Sequence, residues 1–146
     1  SYIMNEIQKL DIYKRIAGIE NDRECDDMKE ELLDRFGEIP KSVDNLLRIA
    51  LIRVNAHRLF MPEVKGKNEL LQFQFRTDAA IAVENIPLLV QKYDGKLVFD
   101  PKEPAFRYRY KKCDLVEKNE EMLLSLTEQI LCEMEELLLE KQNNCS

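Results

Sequence analysis

The sequence predicts an α+β fold: N-terminal helices, then a small, mostly antiparallel sheet of three to four strands packed by helices, then a long C-terminal helix. Apolar residues recur at spacings of three and four over residues 5–62, which is the period of an amphipathic helix. Over residues 69–76 and 105–112 they alternate with polar ones, as in a half-buried strand. The helical period returns over residues 115–141. Helices on both sides of a short sheet indicate this fold class.

Two helices are predicted at the start of the chain. The first covers residues 5–18 and stops at Gly18, with four aliphatic residues among its apolar positions: Ile7, Leu10, Ile12 and Ile16. The second is capped by Asn21 or Asp22 and ends before Gly37, because glycine accepts the left-handed backbone that often terminates a helix. Its apolar residues predict a core stripe of Cys25, Met28, Leu32 and Phe36.

Charged residues lie beside this stripe. At about 100° per residue, one arc of the second helix holds Glu24, Asp27, Glu31, Asp34 and Arg35. A solvated helix face and a contact surface for a partner both produce such an arc. The residues alone leave the two interpretations open.

The third helix is predicted to start after Pro40, with Ser42 as its N-cap, and to close at Pro62. Its i, i+3, i+4, i+7 pattern is strong and involves Val43, Leu46, Leu47, Ala50, Leu51 and Val54.

Four strands are predicted in the middle of the chain. Residues 69–76 pair with a short strand over residues 63–66, across a turn at residues 66–68. Strands over residues 96–100 and 105–112 follow, separated by a proline-containing loop.

Two more helices complete the prediction. Residues 78–93 return to the helical period with Asp78 as cap, and Pro87 indicates either a kink or two shorter helices. The last helix covers residues 115–141, and its final residues are expected to fray. Its near-heptad spacing allows a coiled coil, but we favour packing on the sheet within a monomer. The apolar residues along one side are Leu123, Leu126, Ile130, Met134 and Leu137.

Composition argues against several classes of function. The 146 residues suit one domain, and the net charge of −6 disfavours nonspecific attraction to nucleic acid or an anionic membrane. No apolar run approaches the ~20 residues of a membrane span. The first residues lack the features of a signal peptide, and the abrupt start suggests a fragment of a longer protein.

The four cysteines, at positions 25, 113, 132 and 145, form no C-x-x-C pair. Their wide spacing indicates reduced thiols of a cytoplasmic protein rather than a zinc site or a disulfide framework. Cys25 and Cys132 fall on apolar stripes and are predicted to lie in the core.

No catalytic, metal or cofactor site is predicted. The only histidine, His57, lies late in the third helix beside Arg58, where a helix-surface position fits a basic side chain. The four glycines are far apart in sequence, which argues against a phosphate-binding loop. We therefore expect a domain that is not an enzyme.

The strand over residues 106–112 allows two interpretations. Phe106, Tyr108 and Tyr110 alternate with Arg107, Arg109 and Lys111, so one face is aromatic and the other basic. Binders of single-stranded nucleic acid use both residue types, but their aromatic rings must be exposed. We favour aromatic side chains in the core and a solvated basic face, with a nucleic-acid-binding module as the alternative.

Three segments of residues 1–62 carry a family resemblance: Leu10–Ala17 (LDIYKRIA), Glu31–Pro40 (ELLDRFGEIP) and Val43–Leu47 (VDNLL). In order and spacing they resemble the start of the C-terminal domain of the bacterial transcription-repair coupling factors (Mfd). The second segment is the most specific. Residues 63–146 are similar to the family only in the order of their elements.

The resemblance implies a function. Members of this family are DNA translocases with an ATP-driven motor that release stalled RNA polymerase and recruit the excision-repair component UvrA. Their C-terminal domain is not an enzyme, but docks on the UvrA-binding module of the same chain and masks it. Carried onto this sequence, the resemblance implies docking residues at Glu31, Asp34 and Arg35. It also implies a linker helix over residues 1–20, after the motor, and a single domain over residues 21–146.

Overall fold

The predicted α+β class is confirmed by a computed structural model, which describes residues 5–139. In chain order these residues form three helices, a four-stranded antiparallel sheet with one short helix between its second and third strands, and a long last helix. The chain divides into two compact units, Ser1–Val54 and Asn55–Ser146. Among the described helices, none has the length and apolar composition to cross a membrane.

The first unit is built from α1 (Glu6–Ala17), α2 (Asp22–Phe36) and most of α3 (Lys41–Arg58). All four residues of the predicted α2 stripe are buried. They pack with side chains of α1, of the α1–α2 turn and of α3 in one core: Ile12, Ile16, Ile19, Cys25, Met28, Leu32, Phe36, Val43, Leu47 and Ala50.

The first helix contributes fewer residues to this core than its pattern suggested. Asn5 caps α1 in a reciprocal pair of hydrogen bonds with Gln8. Ile12 and Ile16 are buried, but Ile7 is 80% exposed and Leu10 is 59% exposed. Only the C-terminal half of the apolar pattern therefore faces the core.

The helix boundaries follow local backbone chemistry. Asn21 caps α2, and Gly37 ends it with φ of 78°. The prediction of Ser42 as the N-cap of α3 is wrong, because the helix already begins at Lys41 and the Pro40 carbonyl accepts from Val43 N at 3.0 Å. The helix ends at Arg58, ahead of Pro62.

The second unit contains the sheet, in the order β1 (Glu63–Lys67), β2 (Leu70–Gln74), β4 (Ala105–Arg109) and β3 (Leu97–Asp100). All neighbouring strands are antiparallel.

The turn between β1 and β2 lies later than predicted. The prediction of a turn at residues 66–68 is wrong, because Gly66 lies in β1 opposite Leu71. The two-residue turn is formed by Asn68 and Glu69, with φ of 54° and 60°. Positive φ at both turn residues matches the twist of the two strands.

One face of the sheet carries the aromatic residues of the core. The ring of Phe106 lies 4.8 Å from Phe99 and 5.8 Å from Phe75, between ring centroids. Phe73 and Phe106 are fully buried. The hydroxyl of Tyr93, just after the short helix, donates to Glu133 Oε1 of the long last helix at 2.9 Å. This hydrogen bond links the two helices.

The predicted helix over residues 78–93 is wrong at its start. Its helical part is a 3₁₀ turn (Val83–Asn85) followed by α4 (Ile86–Gln91), so the alternative of two shorter helices is the better description. Residues 79–82 instead run beside the end of the last helix. Ala82 N donates to the Leu138 carbonyl, and Asn85 Nδ2 donates to the Leu137 carbonyl, both at 2.7 Å.

The last helix, α5, covers Val116–Leu138, and the predicted residues 140 and 141 lie outside the described residues. Of the predicted side, Ile130 and Met134 are buried, whereas Leu123, Leu126 and Leu137 are only half-buried. The buried positions are Leu124, Thr127, Ile130, Leu131, Met134 and Leu138.

Cysteine placement confirms one prediction and corrects another. Cys25 is buried in the first core, and burial raises the pKa of its thiol. Cys132 is exposed on α5, so its predicted core position is wrong. Cys145 lies outside the described residues.

Candidate docking surface

The candidate docking surface, which we define as Glu31, Asp34 and Arg35, lies on the last turns of α2. Burial of Leu32 and Phe36 fixes the rotation of this helix. The fixed rotation leaves Asp34 and Arg35 exposed and Glu31 half-buried. The structure thus places the three predicted residues together, beside the buried stripe.

Glu31 is held by two guanidinium groups. Arg15, from α1, donates Nη1 to Oε2 at 2.5 Å and Nη2 to Oε1 at 2.6 Å. Arg35 donates Nη1 to Oε2 at 3.2 Å. The hydrogen bonds and charge of Arg15, with the weaker contribution of Arg35, lower the pKa of Glu31 to about 2. Glu31 therefore stays ionised at neutral pH and its carboxylate has a fixed orientation.

The other two residues of the candidate docking surface differ in their contacts. The Arg35 guanidinium lies over the Phe36 ring, 5.2 Å from its centroid. Arg35 is therefore held by its ion pair with Glu31 and by a cation–π contact. Asp34 is exposed, and within residues 5–139 its carboxylate has no hydrogen bond or ion pair. Of the three residues, Asp34 can accept a hydrogen bond from outside the domain without losing one that it already makes within residues 5–139.

A cleft of about 320 Å³ lies next to this surface, between α1 and α2. Arg15 and Glu31 line it together with two further acidic residues of the arc, Glu24 and Asp27. Glu24 accepts from the Glu20 backbone N–H at 2.7 Å. Asp27, like Asp34, is exposed and unpaired among the described side chains. Some carboxylates of the acidic arc therefore accept hydrogen bonds within the domain, whereas others are exposed and unpaired among the described residues.

Arg53 fixes the turn that brings Arg15 to Glu31. Its Nη2 donates to the carbonyls of Ala17, at 3.2 Å, and Ile19, at 3.0 Å. These carbonyls lie at the end of α1 and just beyond it, where a helix leaves its last acceptors unused. A cation from α3 thus stabilises the α1–α2 turn.

Sequence reasoning missed Arg15 as part of this site. One signal was present, because Arg15 precedes the core residue Ile16 and lies in the last turn of α1. A short connection places the last turn of α1 close to α2, so a long cation there lies within reach of acidic residues on that helix. Only the three-dimensional pairing shows which acidic residue it reaches.

In the strand over residues 106–112, Phe106 agrees with the favoured interpretation of aromatic side chains in the core. Phe106 is fully buried, while Tyr108 and Tyr110 are half-buried. On the other face Arg107 is half-buried, and Arg109 and Lys111 are exposed. The strand itself ends at Arg109, three residues before the predicted boundary.

His57 is exposed in the last turn of α3, beside a depression of about 170 Å³ lined by Phe60, Met61, Pro62 and Arg76. No carboxylate is among these lining residues. Within the described part of the chain, no group of three or more His, Cys, Asp or Glu side chains is arranged to hold a metal ion.

The fold and this surface define a small α+β domain whose charged helical face is held rigidly at the surface. The family model of the TRCF domain matches residues 1–86, and the chain belongs to this family. The chain is similar to the transcription-repair-coupling factor of Borreliella burgdorferi strain B31, with 32% identity over 101 residues. It is also similar to the protein of that name from Staphylococcus aureus strain USA300, with 33% identity over 106 residues.

These alignments cover 69% and 73% of this chain but only 9% and 8% of the two relatives. The chain therefore spans about a tenth of the length of these relatives. A solved structure described as the C-terminal domain of transcription-repair coupling factor superposes with a TM-score of 0.65 at 25% identity. It covers 92% of this chain, which covers 85% of it.

Proposed function

We propose that this domain is a regulatory, non-catalytic part of a transcription-repair coupling factor, which docks on the UvrA-binding module of its parent chain and masks it. The parent protein would use an ATP-driven motor on DNA, in the cytoplasm, to release stalled RNA polymerase and recruit UvrA. Residues 1–20 would link the motor to a monomeric domain over residues 21–146. Membership of the TRCF family supports this proposal.

The docking role is supported by the contacts and the exposure of the three surface residues. Glu31 is oriented by Arg15, Arg35 is held over Phe36, and Asp34 is exposed without a partner in the described structure. Side chains that are fixed before binding lose less entropy on binding. This surface is thus prepared for a polar contact that needs no rearrangement of the core.

A charged contact also suits reversible masking. Exposed ion pairs contribute about 0.2–1 kcal/mol each and set the register of two surfaces more than their affinity. A contact of a few such pairs holds the closed form when both partners share one chain, because the linker supplies a high effective concentration. It can still open when another partner competes.

Binding in trans to the isolated UvrA-binding module tests the docking residues. We expect Asp34→Asn to weaken binding about fivefold, the effect of losing one exposed ion pair. Asp34 is preferred to Glu31 for this test, because Glu31 also holds α1 through Arg15. Fluorescence anisotropy of the labelled module, titrated with the domain, gives the affinity.

Asp26→Asn is the matched control, since Asp26 is an exposed aspartate on the same helix outside the docking surface. It should leave the affinity unchanged. Equal affinities of wild type, Asp34→Asn and Asp26→Asn would contradict the assignment of Asp34. If the separate pieces bind too weakly to measure, the same variants are compared in a chain that joins the two by a flexible linker.

A further inference from the structure

A groove lies at one corner of the sheet in the second unit, where β2 and β3 begin and β4 ends. Its volume is about 710 Å³, within the range of ligand sites. Its walls contain both aliphatic side chains and cations, among them Leu70, Lys96, Val98, Arg109 and Lys111. We call it the corner groove.

Cations in the corner groove are mostly unpaired. Lys96, Arg109 and Lys111 have no ion pair within the part of the chain that the structure describes. Arg107, in contrast, donates to Asp100 at 3.2 Å and to Glu103 at 2.5 Å. The groove also contains two carboxylates, Glu69 and Asp94. Cations outnumber carboxylates there, although the chain as a whole carries a net charge of −6.

The strand that borders the groove is an edge strand with an apolar surface. β3 lies at one end of the sheet order, and its Val98 is 58% exposed. The opposite edge, β1, carries Glu63, Lys65 and Lys67, all exposed. Charged side chains protect an edge from pairing, whereas an apolar edge is suited to an added extended segment.

The residues that line the groove favour a peptide over a nucleic acid. The Tyr108 ring packs edge-on against Tyr93, with centroids 5.7 Å apart, so that ring is committed to the domain itself. Base stacking requires an open aromatic face. The other aromatic lining residue, Tyr110, is half-buried. The aliphatic lining residues are Leu70, Val98, Met122 and Leu126. Such a wall fits the side chains of an extended peptide.

We propose that the corner groove binds an extended acidic segment of a partner protein. An aliphatic side chain of that segment packs against Val98, and carboxylates two and four residues further along, on the same side of the extended chain, pair with Arg109 and Lys111. The segment lies along the β3 edge. This surface is separate in sequence from the docking surface of α2, and the proposal does not depend on the masking function.

The probe is a short fluorescein-labelled peptide with valine at its centre and glutamate at the second and fourth positions on either side, separated by serine. Anisotropy gives its affinity for the domain. We expect saturable binding that weakens about tenfold in Arg109→Glu and also weakens in Val98→Asp. Lys102→Glu is the matched control, because Lys102 is exposed in the loop after β3, away from the groove. It makes the same charge change and should leave binding unchanged. Circular dichroism confirms that each variant is folded.

Three results would overturn the proposal. One is a peptide that shows no saturable binding to the wild-type domain. Another is an equal loss of affinity in Arg109→Glu and Lys102→Glu, which would indicate a general effect of charge. The third is tighter binding of labelled oligothymidine than of the peptide, with the same dependence on Arg109, which would identify the groove as a nucleic-acid site.

Discussion

At the scale of single residues, the contact between Arg15 and Glu31 joins α1 to the charged face of α2. Both terminal guanidinium nitrogens of Arg15, Nη1 and Nη2, bond the carboxylate, a two-point geometry that lysine cannot reproduce. Arg15 and Glu31 side chains are 41% and 35% exposed, so solvent screens their attraction. The pair therefore orients the candidate docking surface more than it stabilises the fold.

Replacement of Glu31 should make stability depend less on pH. The pKa of Glu31 falls from 4.5 to about 2 on folding. Because the folded value is the lower one, the contribution is complete above about pH 4.5 and is lost as pH falls toward 2. At neutral pH, Glu31→Gln should lower the free energy of unfolding by about 0.5–1 kcal/mol. Urea unfolding at neutral and acidic pH measures this difference, which should shrink in acid.

Glu30→Gln is the control for this prediction, since Glu30 is an exposed neighbour on the same helix with no ion pair among the described residues. It should change stability little at either pH. A difference between wild type and Glu31→Gln that stays constant from neutral to acidic pH would show that Glu31 is not held by Arg15 in solution.

At the scale of elements, the end of α2 depends on the backbone of one glycine. Gly37 has φ of 78°, and its N–H donates to the Leu33 carbonyl at 2.9 Å. Gly37→Ala should lower the free energy of unfolding by about 1 kcal/mol, because a side chain is strained in this conformation. A Cβ at position 37 would meet no atom within 4 Å, so the loss reports backbone strain alone. Thermal and urea unfolding measure it.

Gly18→Ala is the matched control, because Gly18 also ends a helix but has φ of −90°. Its Cβ would lie 3.6 Å from the Arg15 carbonyl oxygen, an ordinary contact. Stability should be unchanged or slightly higher, since alanine restricts the unfolded chain. Equal losses in the two variants would contradict the argument from φ.

Elements with one clear periodicity could be predicted from the sequence, and α2 is the best example. Its cap, its core stripe and its glycine stop all follow from residues close together in the chain. The side of α5 was harder to predict, because apolar residues come in adjacent pairs seven positions apart: 123–124, 130–131 and 137–138. Periodicity cannot choose within a pair. Packing buries Leu124 and Leu138 more deeply than their neighbours, and it buries both Ile130 and Leu131.

Other errors came from tertiary contacts that override local preference. Residues 79–82 (AAIA) are good helix formers, yet Ala82 N–H is used to bond the Leu138 carbonyl at the end of α5. In the candidate site, Glu31, Asp34 and Arg35 could be placed on one helix side from their spacing. The contribution of Arg15 could not, because it comes from another helix 16 residues away.

At the scale of the whole molecule, two surfaces of opposite charge lie on different units of the chain. The acidic arc of α2 belongs to the unit Ser1–Val54, and the corner groove to the unit Asn55–Ser146. Salt screens contacts of either sign. Sensitivity to salt therefore cannot tell which surface a partner uses, whereas Asp34→Asn and Arg109→Glu can.

Each unit also has a buried core of its own, which leads to a prediction about cooperativity. Leu47 is fully buried in the core of the first unit, and Phe73 is fully buried in the sheet. A unit of about 54 residues is marginal by size. Leu47→Ala removes about 2–5 kcal/mol from such a core. We expect amides of α1 and α2 to lose hydrogen-exchange protection while those of β2 and β4 keep most of theirs.

Native-state hydrogen exchange followed by NMR separates the two units, because it reports the opening of each amide. Ile49→Ala is the control on the same helix, since Ile49 is 46% exposed, and it should change protection little in either unit. Equal loss of protection in α2 and in β2 would show that the two cores open as one cooperative unit. Selective loss in α1 and α2 would instead mean that the docking surface can open while the sheet that carries the corner groove stays folded.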